Sequence, residues 1–571
     1  MKLHLPFVTA FLSFNSFATM PTITPAEGHL AETVDEKTDD AILATAEEAS
    51  DNAEDTPAYY EGWAFWNLGA ALMGSAFLLS LDNTILATAI PRITSDFNSL
   101  NDIGWYASAY KITQMSLLPL CGRIYTFYDN RWSYIIVLLI FELGSIICAV
   151  AQNSTTLIVG RAVSGVGAAG LMSGAAIIIS ATVTLRKRPV LMGLISIIYG
   201  VASVLGPLVG GAITDNSMLT WRFCFWINLP FGAVGLAQIW FALRTPPKAV
   251  KSTLSSKEKI SQMGFPGATI LIGSITCLLL ALQWGGIDYS WSDPKVYGTL
   301  IVFGLTLILF IMVQWRFPKS STVPIYLFKN RTVVVASIFM MFLQLSITVI
   351  TYYWPLYFQS VKNTSAENSG IYMLPFAIST MFSTFVAGWV ISKVGYYVPF
   401  MWVGAPILAA GAGLFRLLDA GSSAASWAGY QIVSGIGYGI CGQVPIIAVQ
   451  VVVDKEDVPT ACVLVIFFEC LGATLGPSIA QNLFTDTLLK TLLGIAGVDG
   501  PAVVAGGAKG FRPLIRPDLL DRVIDAWEDA LWTAYLLAIA SSAAALVVSA
   551  AMEWRRLPED KKQTATGSEQ V

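Results

Sequence analysis

Apolar residues in this chain fall into long unbroken runs, not into the two-residue alternation of a strand or the narrow stripe of a soluble helix. Fourteen such runs of about 20 residues follow one another, each the length a helix needs to cross roughly 30 Å of hydrocarbon. Their limits are 63–90, 103–121, 133–151, 156–182, 190–213, 223–243, 265–284, 297–316, 333–359, 368–391, 397–417, 426–451, 458–482 and 530–552. A segment apolar on every side is stable in lipid only if its backbone groups are satisfied within the segment, which a helix does. The pattern predicts an all-α integral membrane protein with fourteen transmembrane helices.

The flanks read differently. Lys2 precedes a short apolar run from Leu5 to Phe17, which is either a signal peptide or sequence upstream of a start at Met20. The second reading is preferred, because the first span needs no cleaved leader. Residues 21–60 are acidic and rich in Thr, Ala and Glu, so 1–60 is expected to be a disordered cytoplasmic tail, with a second tail at 553–571. The stretch 484–528 is expected to be an extracellular loop, rich in Gly near 494–510 and with an interfacial helix at 517–528.

Lys and Arg in short loops set orientation. One set of loops holds Arg123 and Arg131, Arg186 to Arg188, Arg244 to Lys259, Arg316 to Arg331, and Arg555 to Lys562. The alternate set holds little beyond Arg92, Lys295 and Lys362. The basic side is expected to be cytoplasmic, with both termini inside. Asn153 and Asn363 lie in acceptor sequons on the outer side and are glycosylation candidates, although their short loops hold them close to the membrane.

Composition agrees with the pattern. The chain is 55% hydrophobic and 13% charged, against about 25% charged for soluble domains, and its mean hydropathy is +0.62. A net charge of −4 gives no reason to expect a nucleic-acid partner. Seven cysteines lie in or beside apolar runs without a CxxC pair and read as small buried residues. Histidine occurs only at His4 and His29, so no imidazole metal or haem site is expected in the membrane. No cofactor is predicted, and proton coupling there would rest on carboxylates. No GxxxxGK[ST] phosphate cradle is present, which disfavours direct drive by ATP.

Two motifs recur at one offset of 270 residues. Val163-Ser164-Gly165-Val166-Gly167 returns as Val433-Ser434-Gly435-Ile436-Gly437, and Leu205-Gly206-Pro207 returns as Leu475-Gly476-Pro477. The shared offset predicts two pseudo-symmetric six-helix halves in parallel order, 61–243 and 333–552, with two inserted helices at 265–316. Such repeats build transporters that hold substrate between the halves, although small-residue motifs also recur by chance where helices pack closely.

Charges at bilayer depth are costly and mark functional candidates. Asp82 in span one is the first candidate proton carrier, with a structural ion pair as the alternative. Arg161 opens span four and needs a carboxylate or carbonyl partner; its counterpart at the 270 offset is Gln431. Glu142, Glu469 and Lys111 are the other deep charges. Lys111 neutralises Asp82 or Glu142, a choice the sequence leaves open. Gly200, Gly206, Pro207, Gly210 and Gly211, with Gly476 and Pro477, supply close approach and bending and serve either packing or conformational change. Tyr110, Trp354, Lys111 and Gln431 are substrate-cavity candidates. Trp105, Tyr352, Tyr353 and Tyr357 are weighed with them against ordinary packing.

At these residues the chain resembles the major facilitator superfamily, and within it the fourteen-helix drug:proton antiporter branch in its fungal form. The resemblance covers about 60–555. It rests on Leu81 to Pro91, on Phe141 to Ser145, on Arg161 to Gly170, on Gly206-Pro207 with Gly210-Gly211, and on Trp221-Arg222 through Asn228-Leu229-Pro230. Thr126 stands where many members carry an aspartate, Ala202 where a glycine is usual, and Lys111 where an apolar residue is usual. The resemblance implies a non-enzymatic carrier working by alternating access. It would export small lipophilic compounds (drugs, toxins or secondary metabolites) against protons, as a monomer in the plasma membrane or, second, the vacuolar membrane. Asp82 would take the proton, Arg161 would regulate it, and the span-five glycines would move. Proton-coupled uptake, as of an iron chelate, and a non-transporting sensor are the competing readings. A pH unit supplies about 1.4 kcal/mol per proton and 100 mV about 2.3 kcal/mol per charge.

Overall fold

The structure, a computed structural model, describes residues 59–97, 99, 102–215, 220–243, 255–285, 289–505 and 507–558. The Leu5–Phe17 run, Met20, His4, His29 and nearly all of both expected tails lie outside the described residues, as does 244–254.

The main helices are α1 (Gly62–Phe97), α2 (Ile103–Phe127), α3 (Asn130–Ala149), α4 (Ser154–Thr182), α5 (Arg188–Asp215), α6 (Asn228–Ala242) and α7 (Phe265–Trp284). They continue as α8 (Pro294–Arg316), α9 (Arg331–Ser360), α10 (Leu374–Val394), α11 (Val398–Leu414), α12 (Ala424–Cys441), α13 (Val458–Leu493) and α14 (Leu520–Ser549). Short helices at Phe223–Trp226 and Val444–Val452 extend α6 and α12. Local chemistry sets several starts. Asp129 accepts from Arg131 N and Trp132 N at 2.9 and 3.2 Å, and Asn153, Asn330 and Ser423 cap α4, α9 and α12 in the same way. Each cap satisfies donors that the first turn leaves unpaired.

Among the described residues, 13 helices are long and apolar enough to cross a membrane. The expected fourteenth, α2, has 25 residues but is not one of them, because Lys111, Gln114 and Arg123 dilute its apolar run. Helix α8 buries only Val296, Phe310 and Gln314. Leu305, Ile308, Leu309 and Met312 are exposed on it, as lipid-facing side chains are.

The stretch 484–528, expected to be a loop, is helical at both ends. Helix α13 continues to Leu493 over 36 residues, about 54 Å at 1.5 Å per residue. Phe484, Leu488 and Leu492 extend its apolar stripe and are buried. Phe484 packs 5.4 Å from Trp527, and Phe511 stacks on the same indole at 5.1 Å. Residues 520–528, expected as part of a separate interfacial helix, are the first turns of α14.

Helix pairing repeats between the halves. α1 packs on α5, α2 and α3 on α4, and α6 on α1 and α3; α9 packs on α13, α10 and α11 on α12, and α14 on α9 and α11. The recurring glycines sit at equivalent contacts. A Cβ on Gly165 would lie 2.1 Å from Thr113 Oγ1 and 2.4 Å from Tyr110 O, and one on Gly435 would lie 2.1 Å from Ser379 Oγ and 2.7 Å from Phe376 O. Gly206 would meet Thr84 Oγ1 at 2.0 Å, and Gly476 would meet Thr348 Oγ1 at 2.8 Å. Only glycine permits helix approaches this close.

The halves meet through α5 with α10 and α2 with α13. Two close approaches lie at the end carrying the basic loops. A Cβ on Gly388 would sit 2.4 Å from Pro189 O, and one on Gly122 would sit 2.9 Å from Val463. Arg188 Nη1 donates to Gln450 Oε1 at 2.8 Å, and Gln443 Nε2 to Ser196 Oγ at 3.1 Å. Between the halves a cavity of about 1080 Å³ extends away from this closure to Gly211, Ala212, Gly370 and Ile371 at the opposite end.

Candidate functional site

Arg161 is placed by glycines. Gly160 brings α4 against Cys148 of α3, where a Cβ would lie 2.7 Å from Sγ, and Gly165 brings it against Tyr110 of α2. From there Arg161 Nη1 donates to Asp82 Oδ2 at 2.7 Å and Nε donates to Tyr106 O at 3.2 Å. Its guanidinium lies 4.4 Å over the Tyr110 ring, a favourable cation–π arrangement. The other Asp82 oxygen accepts from Asn228 Nδ2 at 3.2 Å, and that amide also reaches Ser145 Oγ at 3.2 Å. Asp82 and Arg161 are fully buried. A charge pair in low dielectric persists only with geometry this complete.

The question of what neutralises Asp82 is thus answered by Arg161, not Lys111. Asn228, Ser145 and Tyr106 complete the site and were not singled out as site residues in the sequence. A polar amide inside the apolar run of span six was the available signal.

The second half carries a neutral version. Gln431 Nε2 donates to Tyr372 O at 2.9 Å, matching Arg161 on Tyr106. Counting back from the Thr84 and Thr348 pair, Asp82 corresponds to Ser346, which hydrogen-bonds Ser542 at 2.7 Å and Ala538 O at 2.9 Å.

Asp82 does not face the cavity. Its neighbours Asn83 and Thr84 do. Asn83 Nδ2 donates to Tyr110 OH at 3.3 Å, so the chain Asn83–Tyr110–Arg161–Asp82 joins the cavity wall to the buried pair. Glu142 is buried at the α3–α6 contact, with neither carboxylate oxygen hydrogen-bonded; a Cβ on Gly232 would lie 1.9 Å from Oε1. Glu469 lines the cavity, whose wall also includes Gly200 and Gly211. Gly206 is buried against α1, Gly210 is also buried, and Pro207 is a helical residue of α5.

Four cavity candidates fall elsewhere. Trp354 is fully enclosed by Phe358, stacked at 5.6 Å, and by Tyr357, Phe415 and Tyr535 edge-on. Tyr110 lies under Arg161, Gln431 is sealed between α12 and the end preceding α10, and Lys111 donates to Gln114 Oε1 at 3.3 Å. None of the four lines the cavity. Besides Asn83, Thr84 and Glu469, the polar lining includes Tyr199, Gln344, Tyr438, Gln443 and Gln114. Asn153 is exposed while capping α4, and Asn363 is exposed with φ +53°. Among the described residues no group of His, Cys, Asp and Glu is placed to hold a metal ion.

Comparison with known proteins gives the same architecture. The Major Facilitator Superfamily model matches residues 72–477. The chain is 53% identical to the MFS-type transporter ltbE of Aspergillus luteorubrus over 94% of this chain and 98% of that protein. It is 39% identical to the efflux pump aflT of Aspergillus parasiticus over 90% and 99%, and 40% identical to the MFS-type efflux pump MFS1 of Arthroderma benhamiae over 86% and 91%. Among solved structures, the proton:xylose symporter XylE aligns with a TM-score of 0.56 at 12% identity, over 85% of this chain and 95% of that one. The human organic anion transporter MFSD10 aligns with a TM-score of 0.53 at 14% identity, over 84% and 100%. This chain, with its paired helical halves around a central cavity, belongs to the major facilitator superfamily, whose members are membrane transporters and not enzymes.

Proposed function

We propose that the protein exports small lipophilic compounds by exchange for protons, with Asp82 as the proton-binding carboxylate and Arg161 as its electrostatic partner. The observation that carries this reading is the buried Asp82–Arg161 pair, joined to the cavity wall through Tyr110 and Asn83. Two of the relatives described above are named efflux pumps, and the cavity exposes mostly apolar surface, as sites for lipophilic ligands do.

Protonation of Asp82 removes one charge of the pair and leaves Arg161 with Tyr106 O and the Tyr110 ring. The guanidinium then favours a different neighbour, and the strain passes through Tyr110 and Asn83 to the ligand. With the basic side cytoplasmic, the closure through Pro189 and Gly388 shuts the inner end, and the cavity reaches the outer end, the release side. Rocking at α5 against α10 and α2 against α13 reverses this access. Gly200 of α5, whose Cβ position meets Met381 of α10, serves as the sliding surface, and the carrier works as a monomer in the plasma membrane.

The test is proton flux in inside-out vesicles with an acid interior, challenged with a panel of lipophilic compounds. Wild type should lose the gradient with at least one compound, while Asp82→Asn holds it. Equal responses from both proteins would remove Asp82 from the coupling and turn attention to Glu142 or Glu469.

A further inference from the structure

Glu469 of α13 is the one charged side chain among the described residues lining the cavity. It is partly exposed, so its carboxylate meets the space where a ligand would sit. Tyr199 of α5 and Tyr438 of α12 line the same cavity. Tyr438 OH is engaged by Gln344 Oε1 at 3.1 Å. An ionised carboxylate alone in an apolar cavity is a trap for lipophilic cations, because it lowers their desolvation cost and that of nothing neutral.

This carboxylate is not alone. Lys111 of α2 stands near it, because its neighbour Ile112 packs in one apolar cluster with Cys470 and Leu471, the neighbours of Glu469. Asp82 and Arg161 cancel one another at 2.7 Å, which leaves Lys111 and Glu469 as the uncancelled charges beside the cavity. They stand on the two helices of one contact between the halves. Lys111 is steadied by Gln114 Oε1, and Gln114 itself lines the cavity.

We propose that Lys111 and Glu469 form a selectivity pair in which the lysine cancels the field of the cavity carboxylate. Glu469 then acts as a hydrogen-bond acceptor for neutral hydroxylated aromatic ligands, and permanent cations gain nothing on entry. Rejection of the wrong class by a compensating charge is specificity built against a competitor. The assignment rests on the reading of this cavity as the substrate site. It does not depend on Asp82 being the coupling group.

The test is equilibrium binding to the purified full-length protein in detergent, without a proton gradient, using tritiated tetraphenylphosphonium and a non-ionising hydroxymethylanthraquinone at pH 8.5. Lys111→Met should raise tetraphenylphosphonium affinity at least tenfold and change the anthraquinone by less than threefold. Adding Glu469→Gln should erase the tetraphenylphosphonium gain, and Glu469→Gln alone should weaken the anthraquinone. Lys111→Gln, which keeps a polar side chain, should repeat the cation gain and supplies the reading if the methionine variant does not fold. Unchanged cation affinity in both lysine variants, with both probes bound by wild type, would overturn the pair alone. A gain that survives Glu469→Gln would also overturn it. Binding of neither probe to any variant would overturn the cavity as a substrate site, and this assignment with it.

Discussion

Arg161 and Asp82 approach to 2.7 Å with side chains 2% and 0% exposed, the arginine on a helix that Gly160 and Gly165 seat against α3 and α2. Removing one partner of such a pair leaves a buried charge uncompensated, at a cost of about 3–5 kcal/mol. Asp82→Asn and Arg161→Gln are each expected to lower thermal stability in detergent by that order. The double variant should lose less than the sum by about 1–3 kcal/mol. Additive losses would mean that the two groups act separately.

The recurring glycines make a packing prediction that spans both halves. Gly165→Val and Gly435→Val each push a side chain into hydroxyl and carbonyl oxygens that a Cβ already meets inside 3 Å. Losses of about 1–3 kcal/mol or more are expected from each. Gly273→Ala on α7 is the control, since nothing lies within 4 Å of its Cβ position and alanine favours helix by roughly 1 kcal/mol. Melting temperatures should fall for the two valine variants and hold or rise for the third.

Much of this was legible in the sequence. Runs of lipid-length apolar residues gave the helices, and the shared 270 offset pointed to halves that the structure pairs in the same way. The site was legible only in part. Asp82 and Arg161 stand out as charges in apolar runs, yet their partnership depends on how closely α4 approaches α2 and α3, which is a matter of tertiary packing. Trp354 and Gln431 have the composition of cavity residues but turn inward, because helical rotation is set by neighbours and a helix apolar on every side carries no stripe to fix it. The extension of α13 was hidden by Thr485, Asp486, Thr487 and Lys490, whose polarity reads as loop while Phe484, Leu488 and Leu492 hold the helix on α14.

The closure at the basic end is expected to be sensitive to bulk at one position. Gly388→Leu places atoms where Pro189 O now lies 2.4 Å from the Cβ position, so the α5–α10 contact must separate. A single cysteine at Thr384, in a background lacking the native cysteines, should react faster with an impermeant maleimide from the basic side in this variant than without it. Equal rates would show that the contact is not part of the closure.

Tyr110 offers a way to cut the link without breaking the pair. Tyr110→Phe keeps the ring under Arg161 and removes the acceptor that Asn83 uses at 3.3 Å, a loss of about 0.5–1.5 kcal/mol in stability. Ligand binding should stay near wild type, while protons moved per ligand in vesicles fall. An unchanged ratio would remove Tyr110 from the coupling route.

The most direct measurement is proton release on ligand binding by purified protein in weakly buffered detergent, read with a pH dye. The ligand is a non-ionising compound chosen from the vesicle panel. Wild type should release protons on saturation, and Asp82→Asn should bind the same ligand and release none. Release by Asp82→Asn equal to that of wild type would contradict exchange through Asp82.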